Sequence, residues 1–249
     1  MEKRFGVVPY DEYDAALNMA IDEILYDSYK KNTDATFGGY LRFYGFVQPS
    51  ITCGYFQNMQ AVETLCAGRN YDRTRRMTGG GLVVHEGGLT VSVVTHRTLN
   101  EHCATADTFY KMFHLALFKA FASIGLECTL YTDPGSTGPR QSSGDNQVSQ
   151  CFTAPVPYDL MYQGAKIAGR AQKRSRGFMV HQGSIEWQQT PLKENPVKQR
   201  LLQQMIMKHF EDIFECRTEP ALLDDTLMSC ARECAAIKYS TDEWRYKFS

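Results

Sequence analysis

Much is missing from this sequence of 249 residues, and each absence excludes something. No apolar run approaches the roughly 18 residues that a membrane-spanning helix needs. The opening segment, MEKRFGVVPYDEYDAA, carries charges but no apolar h-region, so it does not read as a secretory signal. The eight cysteines (Cys53, Cys66, Cys103, Cys128, Cys151, Cys216, Cys230 and Cys234) never form C-x-x-C. Reduced thiols are expected, not a disulfide scaffold, and no His/Cys cluster has the spacing of a metal site. Charge of one sign is not in excess either. The 27 basic residues against 28 acidic leave a net of -1, which argues against a general nucleic-acid binder. The expectation is a cytoplasmic protein with no membrane partner, no nucleic-acid partner and no integral metal.

What is present can build a substantial core. The hydrophobic fraction is 43%, and one domain over residues 1–249 is the expected organisation, since no composition shift marks a boundary. The periodicity predicts helices over 14–31, with Asp14 as N-cap, over 105–125, with Gly125 as stop, over 197–214 and over about 220–235. Strands are predicted at Gly39–Tyr44, Ser50–Tyr55, Val91–Thr95 and Glu127–Tyr131, with further strands and turns from Tyr158 to Trp187. Residues 132–150 are polar and rich in Gly, Pro and Ser, as functional loops often are. The order of elements gives an α+β (α/β) fold with a mixed, largely antiparallel sheet packed by helices.

Three clusters could carry chemistry. In RRMTGGGLVVH, Arg75 and Arg76 precede Thr78 and the run Gly79, Gly80 and Gly81, with His85 closing the segment. A glycine run lets backbone N–H groups approach a ligand, and adjacent arginines favour phosphate, carboxylate or a polarised carbonyl. The segment has neither a Walker ending nor a dinucleotide fingerprint. In KIAGRAQKRSRGFMVHQG, Lys166 stands beside the small residues Gly169 and Ala171. Gln172, His181 and Gly183 follow, and basic residues stand at Arg170, Lys173, Arg174 and Arg176. A lysine on a pocket wall can stabilise an oxyanion. The third cluster is Cys151 in QCFTAPVPYDL, where basic neighbours could favour the thiolate.

Together, in this order, the segments resemble the biotin/lipoate A/B protein ligase family. RRMTGGGLVVHEGGLTVSVV is similar to its arginine–glycine loop, and KIAGRAQKRSRGFMVHQGSI to its lysine segment. YLRFYGFVQPSITCGYFQ is similar to its N-terminal strand pair, and KYSTDEWRYKFS to its usual close. The resemblance implies the class II synthetase-like catalytic fold of that family and activity on lipoyl domains. Two chemistries compete within it. Ligases activate lipoate with ATP and Mg, whereas one type of octanoyltransferase holds the acyl group as a cysteine thioester and needs no cofactor. Cys151 stands where that transferase carries its cysteine, followed by Tyr158, Asp159 and Leu160. The third glycine, Gly81, is more ligase-like, but the ligase asparagine expected near residue 89 is missing, since 87–90 reads GGLT. The transferase reading is preferred. It makes Cys151 and Lys166 catalytic and the glycine-loop and lysine-segment residues substrate-binding. Its partners are acyl carrier protein as donor, and the lipoyl domains of 2-oxoacid dehydrogenases or the glycine-cleavage H protein as acceptors.

Overall fold

The structure is a computed structural model that describes residues 3–31, 36–132 and 155–248. Strand β1 (Lys3–Tyr13) leads into helix α1 (Ala15–Lys31), followed by β2 (Gly39–Phe46) and β3 (Ser50–Cys53). Then come the short helix α2 (Met59–Leu65) and strands β4 (Asp72–Arg75), β5 (Val83–His85) and β6 (Leu89–His96). Helix α3 (Ala106–Ser123) precedes the short strands β7 (Thr129–Leu130), β8 (Leu160–Tyr162) and β9 (Ala165–Lys166). A hairpin of β10 (Ala168–Ser175) and β11 (Phe178–Ile185) leads to α4 (Pro196–Phe214), β12 (Cys216–Pro220), α5 (Asp225–Cys234) and α6 (Asp242–Arg245).

The central sheet has six strands in the order β10-β11-β6-β2-β1-β12. Its first three pairings are antiparallel, and β2-β1 and β1-β12 are parallel. The sheet is therefore mixed, as expected. Its parallel half went unread because β1 carries Pro9 and a run of polar residues. The pairing of β1 with β2 shifts register between Val8 and Asp11, where that proline falls. A proline cannot donate to the ladder, so it belongs at such an irregularity.

The helices form for local reasons that the sequence displays. Asp14 Oδ1 accepts the Leu17 N–H at 2.7 Å and caps α1. Thr105 Oγ1 accepts the Thr108 N–H at 3.0 Å and caps α3. The stripe Phe109, Phe113, Ala116, Leu117, Ala120 and Phe121 is buried along α3, at the spacing of one helix face. That stripe packs with Leu202, Ile206 and Phe210 of α4 against Phe5, Leu41, Phe43, Val91 and Val93 of the sheet. On the other face, Ile21, Leu25 and Tyr26 of α1 meet Val8, Val94 and Val180. A second sheet, β4-β3-β5, stands beside α1 and presents the glycine loop. A third, β7-β8-β9, carries Lys166.

Candidate active site

Strand pairing brings residues distant in sequence into two rows across the α1 face. One row is Gly169, Ser184, Thr90 and Tyr44; the other is Ala171, Gln182, Ser92 and Arg42. Side chains alternate between faces along a strand, so both rows face the same way. A small cavity of about 20 Å³, the space of one or two water molecules, lies over the first row. Met19, Thr52, Arg76, Val83 and His85 complete its walls, together with Ala171, Arg170, Gln182 and Gly183. Three inter-strand steps at about 4.8 Å make the row that floors this trough roughly 14 Å long.

The cavity gathers Arg76, His85, Gly169, Ala171 and Gly183 from the residues singled out by sequence. His85 Nε2 lies 2.9 Å from Thr52 Oγ1, and its ring stacks on Phe46 at 4.0 Å. Burial, reinforced by the nearby Arg76 cation, pushes the His85 pKa down to about 3. It is therefore a neutral hydrogen-bonding ring at any ordinary pH.

The two loop arginines brace the protein and leave little for a substrate. Arg75 is fully buried. Its guanidinium donates to the carbonyls of Gly54, Tyr55, Gln57, Trp244 and Arg245 at 2.7–3.1 Å. Arg75, expected among the substrate-binding residues, is not part of the cavity lining. It ties the C-terminal segment to the glycine loop's base. Arg76 Nη2 donates to the carbonyls of Gly79 and Gly81 at 2.7 and 2.6 Å, and Nη1 to Thr52 O at 2.9 Å. A trans peptide then turns the Gly80 N–H away from Arg76. Gly80 has φ 84, and a Cβ on Gly54 would stand 1.9 Å from the Gly80 carbonyl oxygen, so both positions demand glycine. Thr78 Oγ1 donates to Gln182 Oε1 at 2.7 Å.

Behind Gln182 lies a charge network that the sequence reading did not mark. The Asp22 carboxylate accepts from Arg42 Nη1, Ser92 Oγ, Tyr44 Oη and Gln182 Nε2 at 2.7–2.9 Å. Every member is buried. Polar residues at alternating positions of apolar strands (90 and 92, 182 and 184) were the available signal. Nothing in the sequence said that these strands are neighbours.

Besides Arg75, Thr78 and Gly79–Gly81, the predicted residues Gln172, His181 and Lys166 lie outside the cavity lining. Gln172 and His181 face α3, with Gln172 Nε2 3.4 Å from His181 Nδ1 and the His181 ring 4.6 Å from Phe113. Burial holds His181 well below the ordinary histidine range. Lys166 does not line the cavity wall as expected. Its Nζ is 2.7 Å from Asp159 Oδ2, because the β8-β9 hairpin turns it toward that carboxylate. Burial pushes Asp159 up, with the Lys166 charge opposing the shift. Cys151 lies outside the described residues. The basic residues of the two motifs, Arg75, Arg76, Arg170, Lys173, Arg174 and Arg176, do not form one solvent-facing rim. Arg170 lies against the Tyr110 ring and donates to Ala106 O. Arg174 donates to the carbonyls of Cys103, Ala104 and Thr105. With Arg75 and Arg76, four of these six are tied inward.

The lipoyl protein ligase A/B catalytic domain matches residues 14–212. The chain belongs to that family. Octanoyltransferase LipM of Bacillus subtilis (strain 168) is 29% identical over 93% of this chain and 94% of its own. Octanoyltransferase LipM of Bacillus cereus is 34% identical over 68% of this chain and 60% of its own. Among solved structures, a lipoate-protein ligase A bound with ATP superposes with TM-score 0.70 at 20% identity, covering the whole of both chains. A bi-partite lipoate protein ligase from Thermoplasma acidophilum, described with its E2 lipoyl domain, gives 0.65 at 19%, covering 100% of this chain and 98% of that one. As a lipoyl protein ligase A/B member, the protein is an enzyme of lipoyl-related acyl transfer or ligation. No helix of the described residues is long and apolar enough to cross a membrane.

Proposed function

We propose that this enzyme transfers an octanoyl group from acyl carrier protein to a lysine of lipoyl domains, through a thioester on Cys151 and without ATP. The observation that carries this reading is the internal use of Arg75 and Arg76. A ligase must hold a triphosphate, and the arginines expected to do so are committed to backbone carbonyls. The likeness to octanoyltransferases along nearly the whole chain supports the same choice.

The chemistry balances without a cofactor. The Cys151 thiolate attacks the carrier thioester, and the carrier thiolate leaves. One thioester replaces another, so little free energy changes. The acceptor lysine amine then attacks the acyl-enzyme, forms an amide, gives up a proton and releases the Cys151 thiolate. A fixed cation and backbone donors stabilise each tetrahedral oxyanion. Each methylene of the chain buried in the trough contributes about 0.8 kcal/mol. The acceptor is a lipoyl domain, by analogy with the archaeal relative described with one.

Intact mass after incubation with octanoyl-carrier protein, without ATP, tests the proposal. An octanoyl adduct on Cys151, lost in Cys151→Ala, is expected. Transfer that demands ATP and free lipoate, and survives Cys151→Ala, makes the enzyme a ligase instead.

A further inference from the structure

Lys166 and Asp159 meet by construction of the chain. Strands β8 and β9 are joined by Gln163 and Gly164, both at positive φ, 48 and 82. Two such residues make the tight turn whose twist suits a hairpin. The turn sets Lys166 opposite Met161, and Asp159, two residues before Met161, falls on the diagonal within reach of a long side chain. The result is an ion pair of 2.7 Å with side chains 8% and 0% exposed. The aspartate is itself held. The Val156 N–H donates to the same Oδ2 at 2.7 Å, the Asp159 N–H donates to Val156 O, and Asp159 O accepts from the Tyr131 N–H.

Among the described residues, this carboxylate faces two cations. Lys166 and Arg170 both act on it. From α3, Tyr110 and His114 face the same interior, with Lys111 5.1 Å above the Tyr158 ring; His181 comes from β11. Burial disfavours the charged forms of His114 and His181, so neither adds a further cation there. Asp107 reaches Arg170 only at 3.7 Å, from an exposed position.

We propose that Asp159 is the positioning residue of the transfer reaction, pinning Lys166 as a fixed ammonium at the foot of strand β10. The assignment rests on the reading of Lys166 given above. It has a second consequence. An ammonium has no lone pair and is not a nucleophile, whereas a free amine attacks any acyl thioester that comes within its reach. The amine forms an amide, the thiolate leaves, and the enzyme is trapped. Asp159 thus keeps Lys166 from competing with the acceptor lysine. A buried charge without its partner sheds the proton, so Asp159→Asn creates that competitor.

The experiment incubates wild type and Asp159→Asn with octanoyl-carrier protein, then maps adducts before and after hydroxylamine, which removes thioesters and leaves amides. Expected for Asp159→Asn is a kcat about 100-fold lower, the scale of losing one oxyanion donor. Its KM for the lipoyl domain stays within about threefold, and a hydroxylamine-resistant octanoyl group appears on Lys166. The wild type carries none there. A cooperatively melting Asp159→Asn with wild-type kcat and an unmodified Lys166 overturns the assignment. So does faster transfer. Should Asp159→Asn not fold, Lys166→Arg against Lys166→Met decides. Arginine stays charged and cannot be acylated, so it retains activity at least tenfold above methionine if a fixed cation is what matters; equal loss overturns the proposal. Absence of wild-type transfer from the carrier would instead remove the function proposed above, a different result.

Discussion

Arg75 and Arg76 are neighbours in the chain with separate duties. Arg75 spends its planar fork on the carbonyls of two remote segments, a geometry that a lysine's single nitrogen cannot reproduce. Arg75→Lys therefore leaves buried carbonyls without donors, at about 1–3 kcal/mol each where relaxation does not restore a partner. A loss of about 3 kcal/mol overall is expected, lowering the thermal midpoint by roughly 6–12 °C at this chain length. Activity per folded molecule should stay near wild type, because Arg75 touches no cavity wall. Calorimetry beside an activity assay checks both halves; normal stability with lost activity would restore Arg75 to a substrate role. The motif marked this residue as a ligand site, and the structure sets its fork on backbone carbonyls. An arginine beside a glycine loop looks the same in sequence whether its fork faces in or out.

At the scale of elements, the decisive device is the joint between α1 and the sheet. Asp22 and Arg42 form a 2.9 Å ion pair inside the protein. The chain of hydrogen bonds from Asp22 through Gln182 ends on Thr78, at the start of the glycine run. Packing of α1 is thereby coupled to the shape of the loop that borders the cavity. Arg42→Met strands a buried carboxylate and should cost about 3–5 kcal/mol, read as a lower urea midpoint. A loss below about 1 kcal/mol would mean that the network is dispensable. The elements themselves were readable to different degrees. Helices α1, α3 and α4 declared themselves because their apolar stripes and caps are local. Strands β1 and β12 did not, since their parallel partners lie far along the chain and Pro9 interrupts the pattern in β1. Residues 127–131 read as a full strand, yet only Thr129–Leu130 pairs, an edge two residues long.

For the whole molecule, buried ionisable groups set the response to pH. His85 is pushed down to about 3, and His114 and His181 well below their ordinary value, all chiefly by burial. The unfolded chain protonates these rings near pH 6.5, so it binds more protons than the folded state and stability falls as pH falls. Burial moves Glu186 the other way, up to about 7, with Glu86 adding to it. Its ionisation costs the folded state stability as pH rises toward 7, and Asp159 acts in the same sense. Three histidines outweigh two carboxyls, so the thermal midpoint should drop between pH 7 and 5. Glu186→Gln should raise the midpoint at pH 7 and steepen that drop; a flat profile in both proteins would refute the balance. The sequence by itself determined the family, the mixed α/β class, the main helices and the segments that meet at the site. These follow from local periodicity, caps and ordered motifs. Only the tertiary structure decided what the charged groups do. It turned Arg75, Arg76, Arg170 and Arg174 inward, paired Lys166 with Asp159, and lined the cavity with residues from six strands. Cross-strand register and the direction of a long side chain depend on neighbours that the order of residues does not name.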